Sequence, residues 1–303
     1  MSAVLSSIPS TDFMAWREAR QAAVEQALCV GVPSETPAGL GDAMRYAVLD
    51  GGKRLRPLLV LAASEAVGGN AAAALRAACA TELIHAYSLV HDDLPSMDND
   101  VLRRGKPTVH VKFGEADALL AGDALQALAF ELLTPEGDEV PAATQATLCR
   151  LLARAAGSQG MAGGQAIDLA SVGLALNEAQ LREMHRLKTG ALLQGSVEMG
   201  AACVGTVAPA ALAALRDYGA AIGLAFQVVD DVLDATADSA TLGKTAGKDA
   251  ADNKPTYVSI LGLEPSRALA QTLRLDAHAA LAPFGDKALR LRELADLIVQ
   301  RKA

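Results

Sequence analysis

The residues best equipped for chemistry are aspartates, and they fall in two clusters. One is Asp92-Asp93-Leu94-Pro95-Ser96-Met97-Asp98 and the other Asp230-Asp231-Val232-Leu233-Asp234. Each follows an apolar run that reads as helix, residues 82–90 and 220–229. Carboxylates carried at the ends of buried helices are costly unless paired or bound to metal. Hard oxygen donors of this kind suit Mg²⁺, and Mg²⁺ commonly arrives with phosphate. With 3.6 residues per turn, Asp230 and Asp234 share a helix face, and Gln227 lies one turn before Asp230. Asp92 and Asp98 point to different faces of a straight helix. Pro95 removes a backbone donor, so the chain can turn there and bring Asp98 back. For either cluster alone, a solvated acidic helix end is the plain alternative.

Cations accompany the acids. Arg103-Arg104-Gly105 follows Asp100 closely, and Gly51-Gly52-Lys53-Arg54-Leu55-Arg56-Pro57 places three cations at a turn entering a helix. Such a turn can offer both side chains and helix-start amides to an anion. His85 precedes Asp92 by about two turns and shares its face, although a packed core histidine would look the same. Lys188-Thr189-Gly190 and Gly243-Lys244 say little individually. Two acidic clusters about half the chain apart, with scattered Lys and Arg, describe a cavity for two anionic groups and several Mg²⁺ ions.

The elements that must position these groups read as helices. Of 303 residues, 51% are hydrophobic but only 3% aromatic, and much of the apolar content is alanine, the best helix former. Apolar residues recur at helical spacing, predicting helices over 12–30, 40–50, 57–67, 71–91, 115–133, 140–156, 177–199, 210–234, 266–281 and 285–300. Asn177 with Gln180 forms a capping-box start. A Gly-, Lys- and Asp-rich loop is expected over 236–253. The expectation is an all-α, single-domain chain spanning 1–303. The net charge of −8 argues against nucleic acid as a partner. Four scattered cysteines without CxxC spacing suit a reducing, cytoplasmic setting. The first residues lack signal-peptide character, and no charge-free apolar stretch of roughly 18 residues predicts a membrane span.

Taken together, the motifs resemble the trans-isoprenyl diphosphate synthases. The matching segments are 51–57, 83–107 (LIHAYSLVHDDLPSMDNDVLRRGKP), 160–169 (GMAGGQAIDL), 185–192 (HRLKTGAL), 226–234 (FQVVDDVLD) and 242–254. The DDxxxxD form of the first cluster is that of bacterial short-chain members, nearest to those making the farnesyl (C15) product. The resemblance implies the isoprenoid synthase fold, a helical bundle around a deep central cavity, as a homodimer. It implies that Asp92 and Asp98 bind two Mg²⁺ ions and Asp230 a third, with Asp93 and Asp234 in support. It assigns Arg103, Lys188, Thr189, Gln227, Lys244 and Lys254 to an allylic diphosphate, and Lys53, Arg56, His85 and Arg104 to isopentenyl diphosphate.

The implied reaction is a head-to-tail (1′-4) condensation. Product length would follow from the positions four and five residues before Asp92. Ser88 and Tyr87 stand there, and the bulky Tyr87 argues for C15 over a geranylgeranyl (C20) or longer product. A class I terpene cyclase would usually carry an Asn/Ser/Glu motif in place of the second aspartate cluster. A non-catalytic partner subunit would have lost a cluster or the basic residues. The departures from the family pattern are Asn99, where the aspartate run often continues, and the variable segment 247–254, which bears on Lys254.

Overall fold

Alanine-rich runs with a 3.6-residue apolar period fold into helices because straight-chain and small side chains lose little freedom there. The computed structural model describes residues 12–49, 51–174, 176–236 and 255–301, and 78% of the chain is helical. It divides into two compact units: the chain up to Arg150 with Met199–Thr206, and Leu151–Glu198 with the chain from Val207 onward.

The first unit holds α1 (Phe13–Gly31), α2 (Leu40–Val48), α3 (Leu55–Val67), α4 (Ala71–Asp92), α5 (Val109–Phe113), α6 (Glu115–Leu133) and the start of α7 (Ala142–Ala156). Asp12 and Asn70 cap α1 and α4, each accepting a backbone N–H at 2.8 Å. Every residue of 58–63 in α3 is buried, as is most of α4. Their small side chains permit close packing. A Cβ on Gly200, at the end of α10 (Ala191–Ala202), would lie 2.2 Å from the Val60 carbonyl oxygen.

The second unit holds α8 (Met161–Ala170), α9 (Glu178–His185), a π-helical turn (Arg186–Gly190), the start of α10, α11 (Pro209–Thr236), α12 (Tyr257–Leu261), α13 (Leu263–Ala280) and α14 (Leu289–Gln300). Leu181, Met184, Ala225, Val228, Val229, Tyr257, Ala270 and Leu273 form a core among α9, α11, α12 and α13. By length and composition α11 resembles a membrane span, but its buried face belongs to this core.

The helices expected from periodicity are present, with informative differences. Helix α7 starts at Ala142 instead of Val140, since the residue before Pro141 is pushed out of the helical region. Gly285, with φ 52°, delays α14 to Leu289. The helix expected over 177–199 starts with the anticipated capping box, contains the π turn, and runs on to Ala202. Helices α5, α8 and α12 are additional. An antiparallel hairpin of two-residue strands, β1 (Leu102–Arg103) and β2 (Lys106–Pro107), stands where no element was expected.

Candidate active site

Helix α4 stops at Asp92 and the next residues wind into a tight turn. Met97 N–H donates to the Leu94 carbonyl at 2.9 Å, and Asp98 N–H donates to the Asp92 carbonyl at 2.9 Å. Asn99 closes the turn with φ 51°. The proline-driven return of Asp98 towards Asp92 is therefore realised in the backbone, and both side chains stay half-exposed. Asp93 faces the other way. It is buried and grips Arg103 as a fork, with Nε at 3.0 and 2.8 Å and Nη2 at 2.5 Å. Burial pushes the Asp93 carboxyl up, and the Arg103 guanidinium pulls against it. Asp93 thus orients a cation beside the two outward carboxylates.

The hairpin explains how Arg103 and Arg104 part company. Arg104 (φ 52°) and Gly105 (φ 76°) form its two-residue loop, the left-handed pair that a type I′ turn demands. Arg104 Nη1 donates to the Gly51 carbonyl at 3.0 Å. A Cβ on Gly52 would meet that same nitrogen at 2.9 Å, so glycine is what lets the guanidinium lie on the turn.

Of the three cations in that turn, one is not available to a ligand. Arg54 is buried and bonds Glu25 (2.6 and 3.1 Å), Glu82 (2.7 Å) and the Val48 carbonyl (2.6 Å). Lys53 and Arg56 remain as the turn's candidates. His85 is half-buried and its pKa is lowered well below the usual range, first by desolvation and then by the Arg56, Arg104, Arg103 and Arg54 charges. His85, Arg56 and Arg104 therefore act in one electrostatic neighbourhood.

In the second unit, α11 gives its adjacent aspartates different tasks. Asp231 is buried and accepts the Tyr257 N–H at 2.7 Å, which caps α12. Asp234 is also buried, whereas Gln227 and Asp230 are half-exposed. Asp230 pairs with Arg301, which also donates to the Phe226 carbonyl at 2.9 Å and lies 4.0 Å over the Phe226 ring. Burial lowers the pKa of Arg301, opposed by Asp230. No spacing rule pointed to Arg301.

Lys188 and Thr189 sit in the π turn, a distortion frequent at functional sites. Lys188 Nζ meets Asp168 Oδ2 at 2.5 Å, and Gly164 packs directly on the Lys188 backbone. Asp168 and Gly164 belong to the GMAGGQAIDL segment, which carried no site residue in the sequence analysis. Lys244 and Lys254 lie outside the described residues.

Among the described residues, no three Asp, Glu, His or Cys side chains form a ready-made metal cage. Mg²⁺ in diphosphate sites typically takes one or two carboxylates, with waters and phosphate oxygens completing the octahedron. The half-exposed Asp92, Asp98 and Asp230 have the chemistry for that role, whereas buried Asp93 and Asp231 are engaged with Arg103 and Tyr257.

Residues 37–282 match the model of the family described as polyprenyl synthetase. The chain belongs to the polyprenyl synthetase family. It is a prenyl diphosphate synthase, a trans-prenyltransferase of isoprenoid biosynthesis. It is 52% identical over 275 residues to the "Probable farnesyl diphosphate synthase" of Bradyrhizobium diazoefficiens, covering 90% of this chain and 82% of that one. It is 47% identical over 299 residues to the chloroplastic "Heterodimeric geranylgeranyl pyrophosphate synthase large subunit 1" of Arabidopsis thaliana, covering 97% and 80%. Among solved structures, a geranyltransferase from Helicobacter pylori complexed with magnesium and isoprenyl diphosphate superposes with a TM-score of 0.82 at 34% identity, covering 96% and 97%. Relatives named for both product lengths stand at comparable identity, so likeness alone does not set the product.

Proposed function

We propose that this chain catalyses the Mg²⁺-dependent head-to-tail (1′-4) condensation of isopentenyl diphosphate with geranyl diphosphate, or twice in succession starting from dimethylallyl diphosphate, to give farnesyl diphosphate and one diphosphate per condensation. The observation that carries the proposal is the division of labour within 92–103. Buried Asp93 presets the Arg103 guanidinium, while neighbouring Asp92 and Asp98 stay half-exposed for metal. A planar fork of this kind is suited to phosphate oxygens. Mg²⁺ held by Asp92, Asp98 and Asp230, three ions per site, would neutralise charge on the departing diphosphate.

This chain's own residues supply the rest. Arg103 and Lys188, each steadied by an aspartate, hold the allylic diphosphate with Lys244 and Lys254. Thr189 and Gln227 direct oxygens at the allylic carbon as positive charge develops there. Lys53, Arg56, Arg104 and His85 hold isopentenyl diphosphate. The depressed pKa of His85 keeps its ring neutral, so it contributes a hydrogen bond among the arginines without adding charge. The C–O bond of the allylic substrate breaks with both electrons leaving on diphosphate. The isopentenyl double bond then attacks the carbon, and the proton lost in forming the new double bond passes to the released diphosphate.

Tyr87 supports a C15 product. Its ring lies five residues before Asp92, is buried, and packs edge-on against His91 with centroids 5.6 Å apart. Ser88 turns its hydroxyl onto the His85 carbonyl at 2.8 Å, leaving Tyr87 as the bulky member of the pair. We also place the enzyme in the cytoplasm as a homodimer. Four free thiols, with Cys79 and Cys203 pushed up to about 12 by burial, suit a reducing compartment.

The test is incubation of purified protein and Mg²⁺ with labelled isopentenyl diphosphate and, separately, C5, C10 and C15 allylic primers, with products sized by chromatography. Extension of the C5 and C10 primers to C15, with the C15 primer left unextended, is expected. Extension of the C15 primer would favour the C20 reading. No extension of any primer would refute the proposal.

A further inference from the structure

The turn that carries Lys53 and leads to Arg56 holds a backbone shape that its own sequence does not favour. Gly51 (φ 76°), Gly52 (φ 136°) and Arg54 (φ 47°) all have positive φ. Glycine adopts such angles freely, but an arginine, with its Cβ, is strained there unless its surroundings hold it. Helix α1 does much of the holding. Gln21 Nε2 donates to the Lys53 carbonyl at 2.9 Å, and Arg54 donates to both Glu25 carboxylate oxygens at 2.6 and 3.1 Å. Gln21 and Glu25 are four residues apart and share one face of α1. That face thus grips two consecutive residues of the turn, the first by its main chain and the second by its side chain. Glu82 of α4 and the Val48 carbonyl complete the set of acceptors around the Arg54 guanidinium, at 2.7 and 2.6 Å.

We propose that Gln21 and Glu25 are positioning residues for isopentenyl diphosphate, acting by locking the peptide between Lys53 and Arg54. The proposal rests on the reading that Lys53 and Arg56 hold that substrate. The peptide is a rigid plane, so relaxing Arg54 to a negative φ rotates it, changing ψ of Lys53 and φ of Arg54 together. That rotation swings the Lys53 carbonyl away from Gln21. The Gln21 bond therefore opposes it directly, while the fork to Glu25 keeps Arg54 in place at the entry to α3. Lys53 precedes the locked peptide and Arg56 stands in the first turn of α3, so both cations take their positions from it. The same turn offers the Gly51 carbonyl to Arg104 Nη1 at 3.0 Å, which ties a third cation assigned to this substrate to the same backbone. Stability is served chiefly by the buried pair of Arg54 and Glu82, whose side chains are 2% and 5% exposed. The Glu25 side chain is 35% exposed and the Gln21 bond lies at the surface. Contacts so exposed add little to stability, and their effect falls on orientation.

The experiment is steady-state kinetics with geranyl diphosphate, isopentenyl diphosphate and Mg²⁺, together with urea melts, on wild type, Gln21→Leu and Glu25→Gln. Gln21→Leu removes the donor at similar size, and Glu25→Gln keeps the shape while removing the charge that holds Arg54. Losing one neutral hydrogen bond shifts a population roughly two- to tenfold, and losing one to a charged group about tenfold or more. KM for isopentenyl diphosphate is expected to rise by these factors in the respective variants, with KM for geranyl diphosphate staying within about twofold of wild type. A merely structural role would lower stability and kcat and leave both KM values alone, and that outcome would overturn the proposal. KM values that rise equally for both substrates would overturn it too. An unchanged KM for isopentenyl diphosphate in one variant would strike that residue from the assignment. Lys53→Ala and Arg56→Ala separate the proposal from the reading beneath it. If both leave KM for isopentenyl diphosphate unaltered, the turn does not hold that substrate; if they raise it while Gln21→Leu and Glu25→Gln do not, only the role of α1 falls.

Discussion

Replacing Gly164 with alanine tests whether the packing of α8 against the π turn sets the position of Lys188. The added Cβ would sit 2.0 Å from the Lys188 backbone nitrogen, 2.4 Å from its Cα and 2.7 Å from the Leu187 carbonyl carbon. Real Cβ contacts essentially never fall below 3.0 Å, so the two segments must separate by about 1 Å (3.0 − 2.0 Å). The obstructing atoms are backbone, so no rotamer change can relieve the clash. Forced overpacking of this sort costs about 1–3 kcal/mol of stability. The same movement draws Lys188 Nζ away from Asp168 Oδ2, now at 2.5 Å. A displacement of about 1 Å in a positioning group costs on the order of 10²-fold in rate. Steady-state assays with geranyl and isopentenyl diphosphates should show kcat/KM for the allylic substrate falling about 10–100-fold, and urea melts should show the stability loss. Ala166→Ser, on the exposed face of the same helix, should change neither. A Gly164→Ala enzyme within about twofold of wild-type kcat/KM would refute the link from helix packing to Lys188, whatever its stability.

Asp92→Ala and Asp230→Ala should each lower turnover at least about 10²-fold with circular dichroism unchanged, since each removes a carboxylate that holds charge against the leaving group; near-normal rates at saturating Mg²⁺ would exclude the residue concerned. Arg54→Met leaves Glu82 buried with its ion-pair partner gone, where the two side chains are now 2% and 5% exposed. A stability loss of about 3–5 kcal/mol in urea is expected, and a change below about 1 kcal/mol would contradict the buried network. Desolvation lowers the pKa of His185 from 6.5 to about 4, so the unfolded chain takes up its proton first. The stability from the neutral ring is complete above about pH 6.5 and is lost as pH falls towards 4, a total of about 3 kcal/mol. Between pH 7.5 and 5 the wild type should therefore lose about 2 kcal/mol more than His185→Phe, and parallel stability curves would sink that account.

Much of this enzyme was legible residue by residue because the deciding interactions are local. Helix positions follow from apolar spacing, and the capping box at Asn177 and Gln180 needs only residues three apart. The return of Asp98 towards Asp92 needs only Pro95 and a turn that closes over six residues. The aspartate and cation motifs, each short and contiguous, were enough to resemble one family and to suggest diphosphate chemistry. Tertiary structure decided which of several like residues does which job. Arg54 and Arg56 are two apart and equally charged, but only Arg54 meets Glu25 and Glu82 in the core. Asp230 and Asp231 are adjacent, but α12 arrives to be capped by the second, leaving the first beside Arg301, 71 positions along the chain. The partner of Lys188 is Asp168, carried by α8. A side chain's type and spacing determine what chemistry it can do. Which side chains are desolvated, and against which partner, depends on helices packed from distant parts of the chain, and that energy is written in no local pattern.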